Sequence, residues 1–523
     1  MATRTLDRFA RDFIGLSRQD PVITLTGDTP LRRRIYLDTT ATAMMSRVVW
    51  DGLHQYLAAA SANSHTEAHR AGRDTTQAIE DSRDAIGRLV GYNPHRDVVL
   101  FTSNGATGAI NFLARALFPP ELRSVVKRFP DGAPSGFIDS LARALGPDGA
   151  LVIDELQSRP LVVTTRMEHH SNLLPWMEAV GHHNVRAIGV RGDGTLDMDD
   201  LTRVLEAEGD RVRLVAVTAV SNVTGLYNPV HEIACKAHAH GAQLLVDGAQ
   251  WVPHSQVRMH PGGDGCDIDF LVLSGHKLYA PGSRGALIGD LSTLSGRRCV
   301  TDVGGGMVEY VTIEDFTLKE KVTAREEAGT PNIPGSIAMG LIAEALMALG
   351  MDDIACAERE LTRTLLARLS GIDGVRIYGP ADLETADRAG VVAFNVADIH
   401  HALVARYLND FHNIAVRNGC FCAQPYIQAL LGVEHERAAQ CQDEMMAGDY
   451  REIPGAVRAS LGVYSTLEDI DALGHAIEAL LRDRAAVEAM YDLQRDGTYQ
   501  PNQGDPLPAT FTMNQFISDA LGR

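Results

Sequence analysis

Two short apolar runs, Leu244-Leu245-Val246 and Ile268-Asp269-Phe270-Leu271-Val272-Leu273, read as buried strands joined by a crossover too long for a hairpin. Each run ends in chemistry. The first delivers Asp247-Gly248-Ala249-Gln250; the second delivers Ser274-Gly275-His276-Lys277-Leu278-Tyr279 and then the turn Pro281-Gly282-Ser283-Arg284-Gly285. Neighbouring strands of a parallel sheet open their carboxyl ends onto one crevice. That arrangement predicts the Asp247 carboxylate and the Lys277 amine within one ligand's length, with a hydroxyl and an imidazole beside the amine. Taken singly, a Lys after a strand is ordinarily a solvated side chain and Asp-Gly is ordinarily a turn. Together those readings account poorly for a buried-type strand that ends in Ser-Gly-His-Lys.

A third strand ending adds an anion site. Val98-Val99-Leu100-Phe101 is followed by Thr102-Ser103-Asn104-Gly105-Ala106-Thr107 and then by the helix-like Gly108-Ala109-Ile110-Asn111-Phe112-Leu113. A helix start after a small-residue loop presents free backbone N–H groups and the positive end of the helix dipole. Alone this is a generic cap; ahead of Lys277 it reads as a phosphate cradle. An amine, a ring-directed carboxylate and a phosphate cradle are the set that pyridoxal phosphate (PLP) requires.

The pattern Val-Asp-Gly-Ala-Gln at 246–250 followed by Ser-Gly-His-Lys at 274–277 resembles the class V aminotransferase family, particularly its cysteine desulfurase and selenocysteine lyase branch. The resemblance runs from about Tyr36 to about Leu480. It implies the type I PLP fold, an α/β architecture with a large domain built on a mostly parallel sheet and a smaller α+β C-terminal domain. By resemblance Gly105, Ala106 and Thr107 hold the phosphate with Ser274 and His276, while Asp247 and Gln250 serve the cofactor ring. Within Met167-Glu168-His169-His170-Ser171-Asn172, His169 takes the place of the histidine that stacks on the ring and relays protons. Asn222 matches the residue that contacts the ring oxygen or the substrate carboxylate. Thr330, in Glu327-Ala328-Gly329-Thr330-Pro331-Asn332, matches a threonine that reaches the partner's phosphate, which implies a homodimer.

The substrate side carries over in the same way. In Ile414 to Pro425, Arg417 and Cys422 match the Arg that clamps the substrate carboxylate and the Cys that attacks its sulfur, and Arg458 matches a second Arg near the substrate. A guanidinium fork suits a carboxylate, and the flanking Gly419 and Pro425 indicate an exposed loop, where a thiol is reactive. Asn63, His65 and His69 resemble the segment at the site's mouth, with His65 either toward the substrate or equally a helix-cap histidine; Thr66 stands where that branch commonly has Arg. Asp38-Thr39-Thr40-Ala41-Thr42 occupies a small-residue turn near the cofactor, with fewer Ala than the family has. The resemblance implies conversion of L-cysteine to L-alanine with the sulfur held as a persulfide on Cys422 for an acceptor protein. Selenocysteine lyase, molybdenum cofactor sulfuration, transamination, epimerisation and a non-catalytic scaffold are the alternatives. Cys420 stands two residues before Cys422, and in an extended loop both thiols face the crevice. Two thiolates leave a tetrahedral metal short of ligands, so no metal site is expected.

Organisation and setting follow from the rest of the chain. The reading divides its 523 residues into an N-terminal segment (1–34), a PLP-binding domain (35–339), a small domain (340–481) and a C-terminal helix and tail (482–523). Leu6, Phe9, Phe13 and Leu16 share one helix face and predict a docking helix, with no secretory apolar core. A net charge of −19 without a long basic run argues against nucleic acid and anionic membrane as partners, and no apolar run reaches bilayer length. Seven irregularly spaced Cys predict free thiols in a reducing compartment, hence the cytoplasm. Two segments are long for the family, 119–159 with a helix-like Phe137 to Leu145, and the acidic Glu434 to Glu452, read as a lid or an acceptor site.

Overall fold

The computed structural model describes residues 2–118, 123–125, 128–129, 133–145, 153, 160–262, 266–295 and 302–522. Its centre is a seven-stranded sheet: β1 (Asp97–Thr102), β2 (Leu161–Thr165), β3 (Val185–Ile188), β4 (Val212–Thr218), β5 (Gln243–Asp247), β6 (Phe270–Ser274) and β7 (Gly285–Asp290), in the order β1-β7-β6-β5-β4-β2-β3. Only β7 runs antiparallel to its neighbours. The expected strand pair at Leu244 and Ile268 is therefore present as adjacent parallel β5 and β6. Leu244, Leu245, Val246, Leu271, Val272 and Leu273 are all buried, as strands covered by helices on both faces must be. Because β1, β2, β4, β5 and β6 run the same way, their carboxyl ends share one edge.

The small domain is a four-stranded antiparallel sheet of β8 (Val375–Ile377), β9 (Val391–Val396), β10 (Arg417–Gly419) and β11 (Ala456–Ser460), ordered β8-β9-β11-β10. Its apolar face packs on helices that include Met351–Ser370 and Leu467–Glu488. The boundary expected at 340 falls inside one continuous helix, Ile333–Leu349, that packs against Arg47–Ala60 and Arg70–Leu89 of the large domain. Fifteen apolar or small residues in that helix gave no local signal for where one core hands over to the next. Ile35–Tyr36 likewise pairs with Ile414–Ala415, so the start of the expected large domain lies against the small one.

The ends dock. Leu6, Phe9 and Phe13 are buried, and the Phe13 ring sits 5.5 Å from Tyr279, two residues past Lys277. At the other end Tyr491 is buried and its hydroxyl donates to Asp410 Oδ2 at 2.9 Å. The helix expected at Phe137–Leu145 is found as Ser135–Leu145, while most of the 119–159 segment lies outside the described residues. The expectation that all cysteines stay free is also corrected. Cys235 and Cys266 form a disulfide with Cα atoms 4.5 Å apart, tying the helix Val230–Ala239 to the loop that enters β6; Cys356, Cys420, Cys422 and Cys441 are free. Count and spacing say nothing about which helix and loop the topology brings together. Among the described residues no single helix is long and apolar enough to cross a membrane.

Candidate active site

A cavity of about 210 Å³ opens at the shared edge of the sheet, walled by the strand ends on one side and by β10, β11 and the loop after Gly419 on the other. Ala106, Thr107, His169, Asn222, Asp247, Gln250, Ser274, His276, Lys277, Arg417, Cys422 and Arg458 all line it. A larger cavity of about 700 Å³ shares the walls at Thr107 and Ser171 but lacks Lys277, Asp247 and Cys422, so the chemistry belongs to the smaller one.

Burial sets the protonation of the central groups. The Lys277 amine is pushed down to about 8 by desolvation, against the pull of Asp247, and Asp247 is itself held above the usual carboxylate range by burial, against the pull of Lys277. Asp247 Oδ1 accepts from Ala249 N at 3.0 Å. A carboxylate this poorly compensated is suited to a cationic N–H in the cavity. Gln250 donates from Nε2 to Thr40 O at 2.9 Å, which leaves its buried Oε1 without a partner. Burial also pushes His276 down to about 4 and His169 to about 3, so both rings are neutral near pH 7. His169 Nδ1 accepts from Ser171 N at 3.1 Å. Its proton therefore sits on Nε2.

The cradle depends on one glycine. Asn104 and Gly105 take left-handed φ of 56° and 63°, starting the helix Gly105–Leu117 with its N–H groups toward the cavity edge. A Cβ on Gly105 would lie 2.8 Å from Ser274 Oγ and 3.1 Å from His276 Cε1. Ala106 N donates to Ser274 Oγ at 2.8 Å, and Thr107 and Ser171 hydroxyls meet at 2.7 Å. Glycine, hydroxyls and a helix start thus converge where a phosphate is expected, beside an orphaned acceptor and an under-compensated carboxylate. That donor set fits PLP.

On the opposite wall, Arg417 on β10 lies across the ladder from Arg458 on β11. Arg458 is buried and occupied: Nη1 donates to Asn222 O and Nη2 to Asp38 Oδ1, both at 2.9 Å, and its guanidinium lies 5.0 Å from the Phe421 ring. Arg417 is exposed at the mouth, and its guanidinium makes no hydrogen bond or ion pair with a described residue. The two arginines therefore differ in kind. Arg417 has its fork available for a ligand, whereas removing Arg458 strands Asp38, a loss of about 3–5 kcal/mol for a broken buried pair.

His65 does not line the Lys277 cavity; its Nε2 lies 3.2 Å from Gly329 O on the exposed surface, where Asn63 Nδ2 donates to Thr330 Oγ1 at 3.0 Å. Thr330, too, is absent from its own chain's cavity. Asn222 turns its Nδ2 to Phe421 O at 2.8 Å, holding the thiol loop and leaving its other N–H and Oδ1 for a ligand. Cys420 and Cys422 do not face the crevice together. Phe421 and Cys422 both adopt φ of 55°, so the loop turns instead of extending, and only Cys422 lines the cavity. Left-handed backbone at a non-glycine costs roughly 1–3 kcal/mol per residue and persists only under external restraint.

The chain matches the family model described as Aminotransferase class-V over residues 35–127 and 150–473, which is most of its length. It belongs to the class V aminotransferase family. The break in the match falls within the long 119–159 segment. A probable cysteine desulfurase of Halalkalibacterium halodurans is 34% identical over 447 residues, covering 85% of this chain and 92% of that one. A cysteine desulfurase of Enterobacter sp. strain 638 is 32% identical, covering 87% and 96%. Among solved structures, an apo cysteine desulfurase from Thermococcus onnurineus superposes with a TM-score of 0.67 at 28% identity, covering 86% and 95%. An Escherichia coli cysteine desulfurase in S-sulfonic acid form gives 0.64 at 26%, covering 86% and 94%.

Some members of this class V site escape a sequence reading. Glu168 is buried beneath His169 and accepts from Thr165 Oγ1 at 2.7 Å, Asn172 Nδ2 at 2.6 Å and Thr218 N at 3.0 Å. Burial pushes it up to about 8, with Asp247 adding to the rise. Ser171, Thr218 and Phe421 complete the walls. Glu168 and Ser171 flank His169 in the quoted motif, a signal that was present; Thr218 and Phe421 are ordinary strand and loop residues with none. No residue of 434–452 lines the cavity.

Proposed function

We propose that this class V enzyme is a PLP-dependent cysteine desulfurase that converts L-cysteine to L-alanine and holds the sulfur as a persulfide on Cys422. The observation that carries the reading is the opposition of Arg417 and Cys422 on one wall to Lys277 and Asp247 on the other. The names of the relatives support it. When bound, PLP supplies the electron sink that makes an amino acid's Cα proton acidic.

The chain's own groups do the rest. Lys277, with its amine pushed down to about 8, offers a far larger unprotonated fraction near neutrality than an ordinary lysine, both to anchor the cofactor and to move the Cα proton. Asp247 would hold the ring nitrogen of the cofactor in its protonated form. His169, neutral near pH 7, has Nε2–H to donate a hydrogen bond into the cavity and would lie beside the ring. Arg417 clamps the substrate carboxylate and orients its sulfur to Cys422. The Cys422 thiolate attacks that sulfur: an S–S bond forms, the C–S bond breaks, and its electron pair leaves with the carbon fragment, which takes up a proton and departs as alanine. The persulfide sulfur then passes to the thiol of an acceptor.

Incubation with L-cysteine and, separately, L-selenocysteine tests this. Alanine should appear in step with an adduct of roughly 32 Da on the protein. A keto acid in place of alanine means transamination. Arg417→Lys should raise KM for cysteine roughly ten- to a hundredfold, since a charged forked hydrogen bond contributes about 1.5–3 kcal/mol, while cofactor affinity stays within error. Equal loss of PLP would make Arg417 structural.

We also propose a homodimer. Thr330, Asn63 and His65 form a polar cluster away from their own cavity, and the nearby hairpin of Val308–Val311 and Phe316–Leu318 exposes Tyr310, Val311, Ile313 and Phe316. Sedimentation of the holoprotein should show a dimer that persists on dilution; a monomer with full PLP occupancy contradicts it.

A further inference from the structure

We propose that His170 is the positioning residue for the nucleophile: its imidazole reaches across from the large domain, caps the helix that follows Cys422, and so holds the thiol loop against the cavity. The proposal rests on the reading of Cys422 as the sulfur-accepting thiol. His170 follows the ring-stacking His169, but it does not line the 210 Å³ cavity. Its ring faces the neighbouring larger one.

The helix Gln424–Leu431 starts two residues after Cys422 and cannot cap itself. Its N-cap is Ala423, which has no side-chain acceptor, and Pro425 has no N–H. The first N–H groups of any helix lack intrahelical partners and need an acceptor from elsewhere. Gln424 N finds it in His170 Nε2 at 3.3 Å. Two residues before Gln424, Cys422 O accepts from the backbone N–H of His170 at 2.7 Å. The same residue thus grips the loop on both sides of Ala423, through its backbone before and its ring after.

The grip matters because the loop is strained. Phe421 and Cys422 hold left-handed φ with no glycine at either position. Asn222 fixes the Phe421 carbonyl from within the cavity, but between Cys422 and the helix only His170, among the described residues, ties the loop to the large domain. To accept from Gln424, Nε2 must carry a lone pair, so the ring is neutral with its proton on Nδ1. Burial, which pushes His170 below the usual histidine range, favours that form.

The test separates positioning from mere stability. In PLP-loaded protein, His170→Ala should loosen the loop, changing the rate of Cys422 alkylation by iodoacetamide about fivefold, the worth of a lost cap. Its kcat for alanine formation should fall roughly tenfold or more, as misplaced reacting atoms do, with KM for cysteine within about twofold. The visible spectrum should not change. His170→Gln should restore both rates, because its longer amide reaches the same N–H. If the alanine variant does not load cofactor, His170→Asn, whose carbonyl stops short of Gln424, carries the same expectation. Alkylation and kcat both within twofold of wild type in a variant without the acceptor overturn the proposal, as does a glutamine variant no better than alanine. If wild-type protein forms no alanine from L-cysteine, the desulfurase reading fails, and the alkylation arm still decides the role of His170.

Discussion

Lys277→Ala is expected to yield a protein without visible absorption and with alanine formation lowered by about 10²–10⁴-fold or more, the worth of a positioned acid–base group. Among the described residues Lys277 is the only lysine lining the cavity, and so the one amine there placed to anchor the cofactor aldehyde. Its titration supplies a second reading. A pKa lowered from 10.5 to about 8 means the neutral, reactive amine dominates above about pH 8 instead of above 10.5. Capture of PLP by the stripped protein should therefore gain rate up to about pH 8 and flatten beyond it. Asp247→Asn, which removes the opposing carboxylate, should move that midpoint lower. An unchanged visible spectrum in Lys277→Ala would falsify the assignment of the anchoring residue.

Cys422→Ala should keep full cofactor and still change its spectrum on adding L-cysteine, yet form no 32 Da adduct and lose alanine production by about 10³-fold or more. A nucleophile held in place acts at an effective concentration on the order of 10⁵ M or above, which roughly millimolar free thiol cannot replace. Cys420→Ala, by contrast, should form the first persulfide as wild type does. The left-handed turn at Phe421 and Cys422 directs only the second thiol to the cavity, while Cys420 packs at the edge of the large-domain core. A loss confined to sulfur transfer or to recovery after oxidation remains open to Cys420 as a neighbouring exchange partner. Peptide mapping decides between the two thiols: a first persulfide on Cys420, with Cys422→Ala turning over normally, reverses the assignment.

The residues at the strand ends were legible because local pattern encodes them. Continuous apolar runs at Leu244 and Phe270 mark buried parallel strands, and a parallel sheet leaves no choice about which edge Asp247 and Lys277 share. The small-residue loop at Gly105 ahead of a helix is equally local, as is the Arg417 to Cys422 spacing within one short loop. What only the tertiary structure decided rests on contacts between distant residues, each too weak to leave a pattern. The sign of φ at Phe421 and Cys422 is imposed by Asn222 and His170, far earlier in the chain. Arg458 became an internal strut once Asp38 and Asn222 O met it, though by resemblance it matched a second Arg near the substrate. His65 and Thr330 share a surface, and Cys235 and Cys266 a bond, through topology alone. The shifts at Lys277, His169 and Glu168 come from desolvation, a property of the closed cavity that no window of sequence contains.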